Sequence, residues 1–325
     1  MKNEIYFDNA ATTRVRKEVF DEMKPFNEER YGNPSSVYKL GRDAKKAITD
    51  ARENVASVFN CKTDEIYFTG SGTEADNWAL IGVCEANAHK GNHIITTKIE
   101  HHAILHTCQY LEKRGFEVTY LDVDEFGLID LEDLRSNIRQ TTILISIIFA
   151  NNEIGTIQPM LEIGKISKKH NILFHTDAVQ AVGHLKIDVN ELNIDLLSIS
   201  AHKLHGPKGK GALFIRKGTK INSFIHGGAQ ERNMRASTEN VAGIVGLSTA
   251  VKLLDNEREK DVTRITALRE KVIEGILSSI PHTTLNGHRT NRLPGNVNIS
   301  FDFIEGESLL LMLDMRGIYA SSGSA

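Results

Sequence analysis

Short β-branched runs alternate along the chain with longer stretches in which apolar residues recur at helical spacing. Residues 66–69, 93–97, 117–121, 143–150, 172–177, 196–200 and 211–215 read as strands, and 73–88, 103–114, 131–139 and 161–170 read as helices between them. Strands this apolar, separated by helices, predict an α/β fold with a mostly parallel sheet covered on both faces. After residue 215 the pattern changes to a polar, glycine-bearing loop. Helices at 241–256 and 261–279 follow, then a strand-like piece at 296–303 and a short helix near 306–315. This predicts a large domain over 16–255 and a smaller, incomplete α+β domain over 256–325, to which residues 1–15 also belong. Ligands of such sheets gather at the carboxyl ends of the strands.

Composition narrows the class. The 325 residues are 40% hydrophobic and carry a formal net charge of −3, with no basic excess that would point to nucleic acid. No apolar run approaches the roughly 20 residues of a membrane span, and the opening MKNEIYFDNAATT lacks the apolar core of a secretory signal. Cys61, Cys84 and Cys108 form no CxxC pair, so neither a disulfide framework nor a thiolate zinc site is expected. A cytoplasmic globular protein without membrane or nucleic-acid partners is the expectation.

Four segments place polar groups at a predicted strand end or helix start. Thr69-Gly-Ser-Gly-Thr-Glu74 follows a strand and opens a helix, where free N–H groups attract an anion, although such turns are often only turns. Asp177 closes an apolar strand, where an unpaired charge is costly and a cationic partner is needed; capping the next helix is the plainer alternative. Ser200-Ala-His-Lys203 again lies just past a strand, and a desolvated lysine there is an amine nucleophile suited to a Schiff base. Lys208 and Lys210 follow closely and the chemistry alone leaves the choice open; nearness to the strand end favours Lys203. His101 and His102 follow a fourth strand, where an imidazole can stack on a planar ring and move protons. With His106 they also suggest a metal, but no HExxH arrangement or completing carboxylate accompanies them, and none is expected. A lysine, a carboxylate 26 residues before it, an anion cradle and a stacking ring together specify pyridoxal phosphate.

Several motifs carry a resemblance to a known family. Tyr6-Phe-Asp-Asn-Ala-Ala-Thr-Thr13, the Thr69–Glu74 turn, Asn151-Asn-Glu-Ile-Gly155, the Asp177/Gln180 pair, Ser-Ala-His-Lys203 and Arg235-Ala-Ser-Thr238 occur in the order found in the cysteine desulfurases. These are fold-type I pyridoxal phosphate enzymes of the class V aminotransferase group. The resemblance implies that Gly72, Thr73, Ser200 and His202 hold the phosphate and Lys203 the aldehyde carbon. It implies Asp177 on the pyridinium, Gln180 on the phenolic oxygen, His101 stacked on the ring and moving protons, and Asn152 on the cofactor and the substrate carboxylate. It further implies that Thr238 reaches the phosphate of a neighbouring subunit in a homodimer. The implied reaction turns L-cysteine into L-alanine and passes sulfur as a persulfide to iron–sulfur scaffold proteins or other acceptors, including those of tRNA thiolation. Selenocysteine lyase or another β-elimination, and a cofactor-binding scaffold without turnover, are the alternatives.

The resemblance places the nucleophilic cysteine just after Ala325, and Cys61, Cys84 and Cys108 match no nucleophile position. An arginine for the substrate carboxylate is likewise expected beyond that point.

Overall fold

The computed structural model describes residues 4–322. The chain opens with strand β1 (Ile5–Tyr6) and helices α1 (Lys17–Met23), α2 (Pro25–Glu28) and α3 (Lys39–Val58). The expected alternation follows: β2 (Ile66–Thr69), α4 (Gly72–Asn87), β3 (His93–Thr97), α5 (His102–Glu112), β4 (Glu117–Leu121) and α6 (Leu131–Ser136). It continues through β5 (Thr142–Ser146), α7 (Met160–His170), β6 (Leu173–Asp177), β7 (Leu196–Ser200) and β8 (Gly211–Ile215). Beyond these lie α8 (Gln230–Asn233), α9 (Val241–Ser279), β9 (Thr283–Leu285), β10 (Ile299–Phe301), α10 (Gly306–Asp314) and β11 (Ile318–Tyr319).

Strands β2 to β8 form one sheet in the order β2-β8-β7-β6-β5-β3-β4. Strand β8 runs antiparallel to both of its neighbours and the other pairs are parallel, so the expected α/β class with a mostly parallel sheet is the one observed. Every residue of β3, β5, β7 and β8 is buried, which requires cover on both faces. On one face α4 and α5 supply Trp78, Leu80, Val83, Ile104 and Leu111. On the other, α3, α7 and α9 supply Ile48, Val55, Ile163, Ile244 and Leu247. No described helix is long and apolar enough to cross a membrane.

Three expectations change. The helices expected at 241–256 and 261–279 are one helix, α9. The stretch between them, Glu257-Arg-Glu-Lys260, is polar where α9 leaves the core, but it consists of good helix formers with no glycine or proline to stop the helix. The strand expected at 143–150 pairs as a ladder only to Ser146, although Ile147 and Phe149 still donate to the carbonyls of His175 and Asp177. The piece at 296–303 contracts to β10, which pairs with β9, a strand too short to stand out in the sequence. The division of the chain at residue 255 is a proposal about domain organisation only, since α9 runs through that position. Residues 5–6 pair in parallel with 318–319, which brings the start of the chain beside β11.

Candidate active site

The turn from β2 into α4 is shaped by Ser71 and Glu74. Ser71 caps the helix by accepting from the Glu74 amide at 3.0 Å, and Glu74 Oε2 accepts from the Gly70 amide at 2.8 Å. Gly72 is the first helical residue, and a Cβ there would stand 2.9 Å from Val179 Cγ2 and 3.2 Å from Ser200 Cβ. Glycine therefore lets the segment that follows β6 and the end of β7 close against the helix start. Thr73 is exposed beside it, and both it and His101 line a cavity of about 450 Å³ between α4 and α5. Buried Ser200 completes this corner, a concave helix N-terminus suited to a phosphate.

Asp177 ends β6 with 5% of its surface exposed, and its Oδ1 accepts from the Val179 amide at 2.9 Å. Burial raises its carboxyl above the ordinary range, opposed by that amide and by the charges of His101 and Lys203. His101 is the N-cap of α5 and accepts from the Ala103 amide through Nδ1 at 3.1 Å. Burial lowers its imidazole, against the pull of Asp177, so the ring is held towards its neutral form.

Lys203 sits in the short turn Ala201–Lys203 directly after β7. Its Nζ donates to the carbonyl of Ala11 at 2.7 Å and also to that of Ala10. Burial lowers its ammonium, while Asp177 and Asp8 raise it. Lys208 is exposed; Lys210 is buried among Arg235, Glu231, Glu74 and Arg52 and is lowered by burial to about 8. The charges that act on Lys210 do not include Asp177, whereas Lys203 lies in the field of Asp177.

The remaining expected residues fall around this centre in different ways. Gln180 donates to the Ala10 carbonyl at 3.0 Å, and His202 Nδ1 lies 3.1 Å from Thr12 Oγ1. Asn152 is half-buried in a turn built by its neighbour: Asn151 Oδ1 accepts from the amides of Glu153 and Ile154, both at 2.9 Å. Thr238 is exposed, two residues before the N-cap of α9. His102 and His106 stack with ring centroids 5.2 Å apart on the outer side of α5.

Some contributors went unread in the sequence. The carbonyls of Ala10 and Ala11 and the hydroxyl of Thr12 come from a segment about 190 residues away in the chain, and backbone groups leave no trace in side-chain chemistry. Asp76, on α4, places a carboxylate oxygen within 4.8 Å of ligand atoms of both His101 and Asp177. Arg235 grips Glu74 and so ties the loop that carries Thr238 to the glycine turn. Glu100 is buried beside His101, held by Thr97 Oγ1 at 2.8 Å and the Ile148 amide at 2.9 Å, and burial raises it to about 8.

The donor set fits pyridoxal phosphate. Among the described residues, buried Asp76 Oδ1, Thr96 Oγ1 and Glu100 Oε2 lack a hydrogen-bond partner, and two of the three border Asp177. A protonated ring nitrogen would give the raised Asp177 a directly bonded cation, and the cradle at Gly72 would receive the anionic group.

Comparison with known proteins agrees with this geometry. Residues 5–325 match the family model described as aminotransferase class-V. A protein named cysteine desulfurase IscS from Methanosarcina thermophila is 59% identical over 99% of the chain and 79% of its own length. Its namesake from Dictyoglomus turgidum is 56% identical over 100% of the chain and 82% of its own length. Among solved structures, one described as a NifS-like protein superposes with a TM-score of 0.95 at 42% identity, covering 98% of the chain and 87% of its own. Another, described as SspA in complex with cysteine, gives 0.87 at 37% identity, covering 99% and 90%.

Proposed function

Because the chain belongs to the class-V aminotransferase family, and within it to the cysteine desulfurases, we propose that it converts L-cysteine to L-alanine with pyridoxal phosphate and passes the sulfur on as a persulfide. The observation that carries the reading is the meeting of Lys203, His101 and Asp177 in one electrostatic cluster at the carboxyl ends of the strands. The names borne by close relatives favour this reaction over selenocysteine lyase, another β-elimination or a scaffold without turnover.

Gly72, Thr73, Ser200 and His202 hold the phosphate, Lys203 anchors the cofactor through its amine, and Gln180 and Asn152 contact the ring and the substrate. Pyridoxal phosphate, when bound, supplies an electron sink for bonds at the α-carbon of an amino acid. Asp177 would hold a protonated ring nitrogen, the form in which that sink is effective. Burial shifts both Lys203 and His101 towards their neutral forms, in which Nζ and the imidazole can each take up a proton. The carbonyls of Ala10 and Ala11 fix the direction of Nζ. Ser321 donates to Asp8 at 2.6 Å, and the charge of Asp8 acts on Lys203, so the chain near residue 321 runs close to the site.

A homodimer in which Thr238 reaches the partner's phosphate, transfer to iron–sulfur scaffold proteins or to tRNA thiolation, and a cytoplasmic location complete the proposal. Support comes from the exposure of Thr238 and from the names of the relatives. The test is to supply L-cysteine to the purified protein and measure L-alanine together with sulfur on protein thiols. Formation of both is the expected result. Pyruvate with free sulfide in place of alanine would contradict the reading.

A further inference from the structure

Asp76 is 1% exposed on α4, and its Oδ1 has no hydrogen-bond partner. From β6 it faces His175 and Asp177, from β7 the hydroxyl of Ser198, and from the segment entering α5 Glu100 and His101. His175 Nε2 is 3.7 Å from Asp76 Oδ1 but does not neutralise it. That ring is already engaged, Nδ1 with Ser146 Oγ at 2.8 Å and Nε2 with Ser198 Oγ at 3.0 Å, and burial lowers it to about 3. Oxygens of Asp76 and Asp177 lie within 4.8 Å of each other. Two carboxyls so close in a buried site do not both ionise at neutral pH.

The surroundings decide which one keeps the charge. Asp177 accepts a backbone N–H at 2.9 Å and lies in the field of Lys203 and His101. Among the described residues Asp76 Oδ1 receives no donor, and the imidazoles that face it, His101 and His175, are both held towards their neutral forms by burial, whereas Lys203 acts on Asp177. Burial first, and then the charge of Asp177, push the Asp76 carboxyl well above the ordinary range, opposed by Ser198.

We propose that Asp76 is a positioning residue that remains a neutral acid, so that the single negative charge of this pair resides on Asp177 opposite the cofactor ring. The inference rests on the assignment of Asp177 to that ring. A protonated Asp76 adds no second negative charge to the floor of the site, and the charge of Asp177 is what holds it in that form.

The test is infrared difference spectroscopy in H2O and D2O on the protein purified with its cofactor, comparing wild type, Asp76→Asn and Asp177→Asn. Asp76→Asn should lose one deuterium-sensitive carboxylic acid carbonyl band, while its visible cofactor absorption and cofactor affinity stay close to wild type, because a neutral amide replaces a neutral acid of similar shape. An unchanged set of acid bands, or a cofactor spectrum displaced by this substitution, would overturn the proposal. Should the amide fail to fold, Asp76→Ser is read in the same way. A cofactor spectrum and affinity untouched by Asp177→Asn would instead overturn the assignment of Asp177, while the acid band still reports on Asp76.

Discussion

Arg235 binds Glu74 through two parallel hydrogen bonds, Nε to Oε1 at 2.8 Å and Nη2 to Oε2 at 3.0 Å. The pair is only 14% and 15% exposed, and Glu74 also accepts from the Gly70 amide, so one arginine holds the loop leading to Thr238 against the anion cradle. Arg235→Leu leaves a largely buried carboxylate uncompensated, and a weakening of pyridoxal phosphate binding by about tenfold or more is expected. Equilibrium dialysis checks it. Pyridoxal lacking the phosphate should lose much less affinity, which separates a disturbed cradle from general unfolding.

Lys203→Ala should abolish the visible absorption of the bound cofactor while the protein remains folded by circular dichroism. Lys208→Ala should retain it, since Lys208 is exposed. Retention of the band in Lys203→Ala would move the anchor to Lys208 or Lys210.

Asp177→Asn exchanges the carboxylate assigned to the ring nitrogen for a neutral amide. Loss of a preorganised electrostatic partner of this kind costs about a hundredfold in turnover or more. Alanine formation from cysteine is the readout, and an unchanged rate would remove Asp177 from the mechanism.

Glu100 gives a pH dependence of defined sign. Its carboxyl is raised from 4.5 to about 8, chiefly by burial, so the folded protein holds a proton that the unfolded chain releases. The stability this contributes is fully present below pH 4.5 and is lost as pH rises to about 8. Glu100→Gln removes that dependence. Its melting temperature relative to wild type should therefore climb across this window, and a constant difference would contradict the buried, protonated state.

Much of the fold was legible because its strands are dense in β-branched residues. His93–Thr97, with two isoleucines and two threonines, coincides with the observed β3. Helix α3 went unread although its buried face, with Ile48 and Val55 among small residues, repeats at helical spacing. In the site, Lys203, Asp177 and His101 stood out because charged or imidazole groups at the ends of apolar strands need a reason. Asp76 did not: a polar residue in a helix reads as a solvent-facing one until the opposite face is known to be the exposed one. Contacts of Lys203 with Ala10 and Ala11 join positions 193 and 192 residues apart, and no local pattern announces them.

The central claim is that Lys203 carries pyridoxal phosphate. Reducing the cofactor-bound protein with borohydride and mapping its peptides by mass spectrometry tests this directly, independent of turnover. A stable pyridoxyl adduct on Lys203 alone is the expected result, and an adduct on Lys208 or Lys210, or none on any lysine, would contradict it.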